Sequence, residues 1–220
     1  IMTTSLPPFL IFFAGALLLA LAPGRLRPTL TLLVPLFGGW NMWYVAEGGG
    51  FAVTLFDYQL ELVRADKLSL LFGILFHLAA FIGLVYALHL RDRLQQVSSL
   101  IYAGGTLGAV FAGDLITLFV AWEIMALSSV FLIWARRTPR ANGAGMRYLV
   151  MQISSGLLLL AGALLHISET GSTAFGPLGV GSLAGVLIFT AFGIKCAFPL
   201  VHGWLTDAYP EATPSGMVFL

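Results

Sequence analysis

Gly193-Ile194-Lys195-Cys196-Ala197-Phe198-Pro199-Leu200-Val201-His202-Gly203-Trp204-Leu205-Thr206-Asp207-Ala208-Tyr209-Pro210-Glu211-Ala212-Thr213-Pro214 runs from an apolar segment into a turn rich in proline. The chain has two lysines, and Lys195 is the one inside an apolar run. A cation at that depth is expensive, and it persists where a partner, a water-filled cavity or a task compensates it. Four residues on, Pro199 lacks the N–H that the Lys195 carbonyl would use in a helix, and its ring disturbs the turn. Lysine and helix break therefore fall at one depth. Free backbone groups inside a membrane are tolerated where protein or water satisfies them, which is what an ion pathway provides.

The composition agrees with a membrane setting. Of 220 residues, 59% are hydrophobic and 10% charged, against roughly 25% charged in soluble domains, and the mean hydropathy is +0.94. A net charge of +1 says nothing about nucleic acid, since what matters is where the arginines sit; no nucleic-acid partner is expected. The single Cys196 excludes an internal disulfide and a cysteine-based metal cluster, and beside Lys195 it reads as a small packing residue. No His/Asp/Glu spacing reads as a metal site, and no nucleophile–base pair appears. Gly48-Gly49-Gly50 lacks the strand–helix context of a phosphate loop. Neither cofactor nor metal is expected, and no residue set here reads as an enzyme's own active site.

Outward from the lysine, apolar runs divide the chain into spans. Leu6–Ala22 is the first; it lacks a basic n-region and reads as a retained anchor rather than a signal peptide. Thr29–Ala46 is the second, with Pro35 inside and Trp40, Trp43 and Tyr44 near its end. The stretch to Lys67 reads as an acidic loop with Glu47, Asp57, Glu61 and Asp66. Leu68–Leu90, Val97–Gly113, a fifth span opened by Asp114 and running to Ala135, Tyr148–Ile167 and Leu178–Leu205 follow. Gly104, Gly105 and Gly108 put small residues at the spacing of close helix contact. Each run has the length a bilayer requires. The fold class is all-α: a polytopic transmembrane helix bundle of about seven spans, the seventh interrupted by proline. An eighth begins near Pro214, and with the leading Ile1-Met2 this reads as the N-terminal part of a longer protein.

Orientation follows from arginine. Arg25/Arg27, Arg91/Arg93 and Arg136/Arg137/Arg140/Arg147 lie in alternate loops, and the loops between are acidic. The N-terminus is placed outside and the basic loops in the cytoplasm. Glu123 then lies nine residues into its span, roughly 13 Å deep and near the middle of a core about 30 Å thick. No cation stands within four residues of it, so its partner comes from another helix, and Lys195 is the ionised candidate at comparable depth. Such a pair can pass proton affinity between its members, or serve only to fix helix packing. His77, alone among apolar neighbours, reads mainly as a hydrogen-bonded core residue, with a place on a proton path as the alternative. His202, seven residues after Lys195, falls near the same face of a continuous helix and could extend a relay toward the cytoplasm.

These residues also carry a resemblance. The interrupted helix at Lys195, Phe198-Pro199-Leu200, the Trp204-Leu205-Thr206-Asp207-Ala208 run and the Glu211-Ala212-Thr213-Pro214 turn resemble the antiporter-like membrane subunits. That proton-conducting family includes subunits of Mrp-type sodium/proton antiporters, complex I and membrane-bound hydrogenases. Asp207–Ala212 is most similar to the Mrp D subunit. Gly113-Asp114-Leu115, then Trp122-Glu123-Ile124-Met125 and Ser128-Ser129, is similar to the family's fifth helix, which carries its essential glutamate. Glu123 and Lys195 match the family's Glu/Lys pair. Leu205-Thr206-Asp207 and Thr213-Pro214-Ser215-Gly216 depart from the usual Leu-Pro-Asp and Thr-Pro-Val-Ser. The resemblance implies fourteen helices: three leading ones, here residues 1–95, and two inverted five-helix units, the first of which residues 96–220 enter.

It further implies a membrane subunit of a multisubunit sodium/proton antiporter, in the inner membrane of a bacterium. Its partners would be sister membrane subunits, the lipid bilayer, protons and sodium. A proton-pumping subunit of a complex I-like or hydrogenase redox complex is the alternative within the fold. A seven-helix retinal protein would also carry a seventh-helix lysine, but the buried acid lies on the fifth span. A passive scaffold subunit would be indifferent to loss of Glu123.

Overall fold

The computed structural model describes residues 6–48, 50–55 and 58–220; the readings that rest on Ile1, Met2, Gly49 and Asp57 lie outside them. Its helices begin where short polar side chains can take up the free N–H groups of a first turn, a need that is acute where no water can substitute. Asp66 starts α3 (Lys67–Tyr86), Asp92 starts α4 (Arg93–Phe111), and Asp114 starts α5 (Leu115–Trp134). Thr138 starts α6 (Pro139–Thr170), Ser182 starts α7 (Leu183–Lys195), and Thr213 starts α9 (Pro214–Phe219). Before them come α1 (Pro8–Leu21), with proline in its first turn, and α2 (Arg27–Gly48), with Pro35 inside. A short α8 (Gly203–Ala208) precedes α9. Each expected span is thus met by a helix. The stretches Lys67–His89, Leu115–Trp134 and Pro139–Thr170 are each long and apolar enough to cross a membrane, while α1 and α7 are shorter apolar helices.

Three expectations need correction. The acidic loop contains a β-hairpin: β1 (Phe51–Leu55) pairs antiparallel with β2 (Tyr58–Val63). Gln59-Leu60-Glu61-Leu62 alternates with the period of a strand, and Leu60 and Leu62 line one apolar cavity with Phe9 and Phe13 of α1 and Val120 of α5. The sixth helix extends well beyond Tyr148–Ile167, because Thr138-Pro139 makes a capped start and Gly171, at φ 71°, closes the other end. The seventh span is interrupted at Lys195 as expected, but α7 begins only at Leu183 and the break is long, since α8 resumes at Gly203.

Asp114 ties the hairpin to the bundle. Only 2% exposed, it accepts hydrogen bonds from the Ile116 and Thr117 N–H groups at 2.9 and 2.8 Å and from the Thr117 hydroxyl at 2.7 Å. Its second oxygen also takes the Glu61 N–H of β2 at 2.8 Å, while Gly113 N–H donates to the Glu61 carbonyl at 2.9 Å. Leu115 N–H donates to the Thr173 carbonyl, which adds the α6–α7 connection to the same knot. Asp114→Ala removes a helix cap and strands buried donors. The expected loss is roughly 2 kcal/mol or more, seen as a lowered Tm; an unchanged Tm would deny the residue this anchoring role.

Packing follows the chain. α4 lies against α1, α3 and α5, and α6 lies between α5 and α7. At Gly105 a methyl group would crowd Met125 and Ile124 of α5, so glycine there permits the close α4–α5 approach. Three apolar clusters result. One, built on Phe12, Leu84, Leu107 and Phe111, joins α1 to α4. A second unites Leu118, Trp122, Leu159 and Ala191 of α5, α6 and α7. A third gathers Ile133 of α5 and Tyr148 of α6 with Trp204 and Ala208 of α8, at the other end of α5 and α6.

Candidate functional site

Between the second and third clusters lies a polar layer contributed by α5, α6 and α7. Glu123 on α5 is half-buried, its Oε1 has no hydrogen-bond partner, and its carboxyl lies against the Cα of Gly156 on α6. Gln152, one turn before Gly156, is 1% exposed, and neither amide atom is hydrogen-bonded. Ser155 donates to the Ala191 carbonyl of α7 at 2.9 Å and accepts from Trp122 Nε1 at 3.3 Å. Ser129 and the Tyr148 hydroxyl pair at 2.8 Å on the side toward the third cluster. Leaving such groups buried and unpaired costs about 1–3 kcal/mol each. A polar layer held at that cost between two apolar clusters has the character of a site rather than of a core.

Lys195 enters this layer from the end of α7. Its Nζ lies 5.1 Å from the centroid of the Trp122 ring, a cation–π contact. Glu123 and Lys195 form no ion pair among the described residues, yet each is the charge that acts coulombically on the other. The helix stops here for a reason more specific than proline alone. Ala197 takes a left-handed conformation at φ 53°, its N–H donates to the Ile194 carbonyl at 3.1 Å, and Phe198 N–H donates to Gly193 at 2.8 Å. These are the two bonds of a Schellman stop, with alanine where glycine is usual. Trp204 Nε1 adds a buried bond to the Ile194 carbonyl at 3.0 Å. Leu200, also left-handed at φ 79°, is 99% exposed.

This stop changes the reading of two residues. His202 does not share a helix face with Lys195, because seven residues of turn and chain reversal separate the lysine from α8; the imidazole is exposed. Cys196 caps the helix and is exposed, so it is not a packing residue. His77 belongs elsewhere. Its Nδ1 pairs with the Gly73 carbonyl at 2.7 Å, and it packs against Phe12 and Gly38 in the first cluster.

The Asp207–Glu211 turn proves to be a latch. Arg147 grips Asp207 through two bonds of 2.7 and 2.9 Å and holds its carboxyl below the usual carboxylate range. Arg140 pairs with Glu211 at 3.3 Å, and Arg136 donates to the Pro210 carbonyl. Gln95 of α4 bonds Thr213 at 2.8 Å. The basic loop and the turn after α8 therefore lie on one side of the bundle.

Residues 112–220, which hold the polar layer, the stop and the latch, match the family model described as NADH:quinone oxidoreductase/Mrp antiporter, TM. The chain belongs to this antiporter-like membrane subunit family. Among family relatives, it is 27% identical over 238 residues to NADH-quinone oxidoreductase subunit N of Deinococcus radiodurans, a match spanning 97% of this chain and 48% of that protein. The chain thus spans about half the length of that relative. In fold it is similar to a chain of respiratory complex I from Thermus thermophilus with bound aureothin: TM-score 0.80, 22% identity, 96% of this chain and 49% of the other. It is similar to a chain of the Mrp complex from Dietzia sp. DQ12-45-1b to nearly the same degree: TM-score 0.79, 22% identity, 96% and 26%. At that identity both likenesses speak for the antiporter-like fold alone.

Gln152 escaped the reading of the sequence. Its signal was a lone amide inside the sixth apolar run, beside the small residues Ser154, Ser155 and Gly156. Gly156 gained a sharper role, since a methyl group there would overlap the Glu123 carboxyl. Gly156→Ala should displace that carboxyl while sparing the fold, because the end of a flexible side chain can move. If Glu123 carries protons, transport by the assembled complex should fall at least about tenfold, as for catalytic groups misplaced by about 1 Å, with Tm within a few degrees of wild type. Full transport would show that the position of the carboxyl is immaterial.

Proposed function

We propose that this chain serves a proton-translocating membrane subunit, in which protons pass between Glu123 and Lys195 by way of water held at Gln152. The observation that carries the reading is the layer of unpaired polar atoms from Glu123 and Gln152, level with the end of α7 at Lys195 and closed off by apolar clusters on both sides. Buried water typically occupies such a place, bonded to polar groups the protein leaves unsatisfied. A glutamate and a lysine sharing one water-bearing layer can hand over a proton without touching. His77 and His202 stand outside this path. Residues 1–95 would form the three leading helices and 96–220 part of the first five-helix unit.

The names of the relatives favour a redox-driven complex, whereas the wording of Asp207–Ala212 favours a sodium/proton antiporter. Vesicles carrying the full-length protein with its sister subunits separate the two. Interior pH, followed with a dye, should respond to quinone reduction in the first case and to an imposed sodium gradient in the second. Silence under both drives, in vesicles shown to be tight, would end the translocation reading.

Orientation belongs to the same proposal, with the N-terminus outside. On a Cys196→Ala background, which removes the exposed native thiol, Arg137→Cys should be labelled only after cells are opened. Tyr58→Cys in the hairpin should be labelled in intact cells. Labelling of position 137 from outside would invert the arrangement.

A further inference from the structure

Two basic regions of the chain are treated differently by the fold. Arg137, Arg140 and Arg147 each pair with a carboxylate, and Arg136 reaches a carbonyl. Arg25, Arg27 and Arg91 have no ion-pair partner among the described residues. These three line one cavity of about 980 Å³, together with His89 and Gln96, between the α1–α2 and α3–α4 connections. Concentrating uncompensated charge of one sign in a walled cavity costs self-repulsion and focuses the field on a counter-ion. Arginine is moreover suited to phosphate, through its fork of N–H donors.

Gln96 narrows the chemistry. It is 6% exposed; its Nε2 donates to the Leu90 carbonyl at 2.9 Å, and its Oε1 is buried with no hydrogen-bond partner. That acceptor needs a donor, which a phosphate diester lacks and a headgroup hydroxyl supplies. Leu21 and Leu26 beside the arginines are 78% and 55% exposed, a surface for acyl chains rather than for water. We infer that this cavity binds the headgroup of an anionic, hydroxyl-bearing phospholipid of the phosphatidylglycerol class, its phosphate on Arg25, Arg27 and Arg91 and its hydroxyl on Gln96. The site shares no residue with the Glu123–Lys195 layer and stands whether or not that layer carries protons.

The test uses the full-length protein in its complex, placed in nanodiscs of phosphatidylcholine, of phosphatidylcholine with one-fifth phosphatidylglycerol, or of phosphatidylcholine in buffer with millimolar inorganic phosphate. Native mass spectrometry counts retained lipid, and thermal unfolding reports stabilisation. Phosphatidylglycerol should be retained and raise Tm, while inorganic phosphate should do neither. Arg25→Gln and Arg91→Gln alter exposed side chains with no bonds to lose, so these variants should fold. Each is expected to weaken retention about fivefold, from the contribution of one basic residue to anionic-lipid binding. Gln96→Met should bring phosphatidylglycerol down toward other anionic lipids. Arg93→Gln, outside the cavity, should change nothing. Equal retention by the Arg25→Gln/Arg91→Gln double variant, or equal stabilisation by phosphate alone, would overturn the assignment. So would displacement of the lipid by a sister subunit's acidic segment seated in the cavity.

Discussion

Lys195→Ala is expected to abolish ion-coupled transport by the assembled complex while leaving membrane insertion intact. The substitution removes the one cation of the polar layer among the described residues and its contact with the Trp122 ring. It leaves the stop of α7 in place, since the bonds from Ala197, Phe198 and Trp204 run to the carbonyls of Gly193 and Ile194 and use no part of the lysine side chain. Loss of a cation–π contact costs on the order of 0.5–2 kcal/mol. That loss, and the loss of Glu123's coulombic partner, are only partly offset by no longer holding a charge inside the bundle, so a modest drop in stability is expected with insertion intact. Transport should fall to the level of empty vesicles. Wild-type transport in correctly assembled Lys195→Ala vesicles would sink the relay role of this residue.

Glu123 and Lys195 should behave as one coupled unit in a double-mutant cycle of Glu123→Gln, Lys195→Met and both. The side chains form no ion pair, so the interaction is expected in the range of roughly 0.5–3 kcal/mol typical of coupled neighbours. Breaking a buried pair in direct contact would cost about 3–5 kcal/mol. Each single variant leaves one charge without its coulombic partner. The double variant leaves none, and it should be no worse in transport and less destabilised than the sum of the singles. Strict additivity in both readouts would mean that the two groups do not sense each other. The mechanism would then have to be given up.

Much of this arrangement could be seen in the sequence, for identifiable reasons. Span positions were legible because membrane helices must be apolar throughout, and Asp114 because a short acidic residue before an apolar run caps a helix. Glu123 and Lys195 stood out because charge in an apolar run is rare. The hairpin at 51–63 was hidden by glycines and acids, whose composition reads as loop; it is tied to the bundle by Arg64 N–H on the Phe111 carbonyl, Gly113 N–H on the Glu61 carbonyl and Glu61 N–H on the Asp114 carboxylate, which join residues far apart in the chain. The break after Lys195 was legible at Pro199, but not its form, since alanine at a left-handed position gives no compositional warning. That form is what removed His202 from the lysine's face. Asp207 and Glu211 were visible as wording, yet their partners Arg147 and Arg140 lie 60 and 71 residues away, beyond any local pattern.

The stop of α7 has an electrostatic meaning of its own. A helix ending between two apolar clusters brings its negative pole there, equivalent to about half an elementary charge spread over its last carbonyls. Lys195 stands in that last turn. The ammonium therefore has two negative neighbours of different kinds: a carboxylate that can gain a proton, and a pole that cannot. Protonation of Glu123 would remove only the first, so Lys195 would keep part of its compensation through every state of the cycle. Had the chain continued as helix through residues 196–202, the pole would have moved to the far end and left the lysine dependent on one titratable group. In the proton transfer we propose, a helix that ends early would supply a fixed counter-charge against which a mobile proton is exchanged.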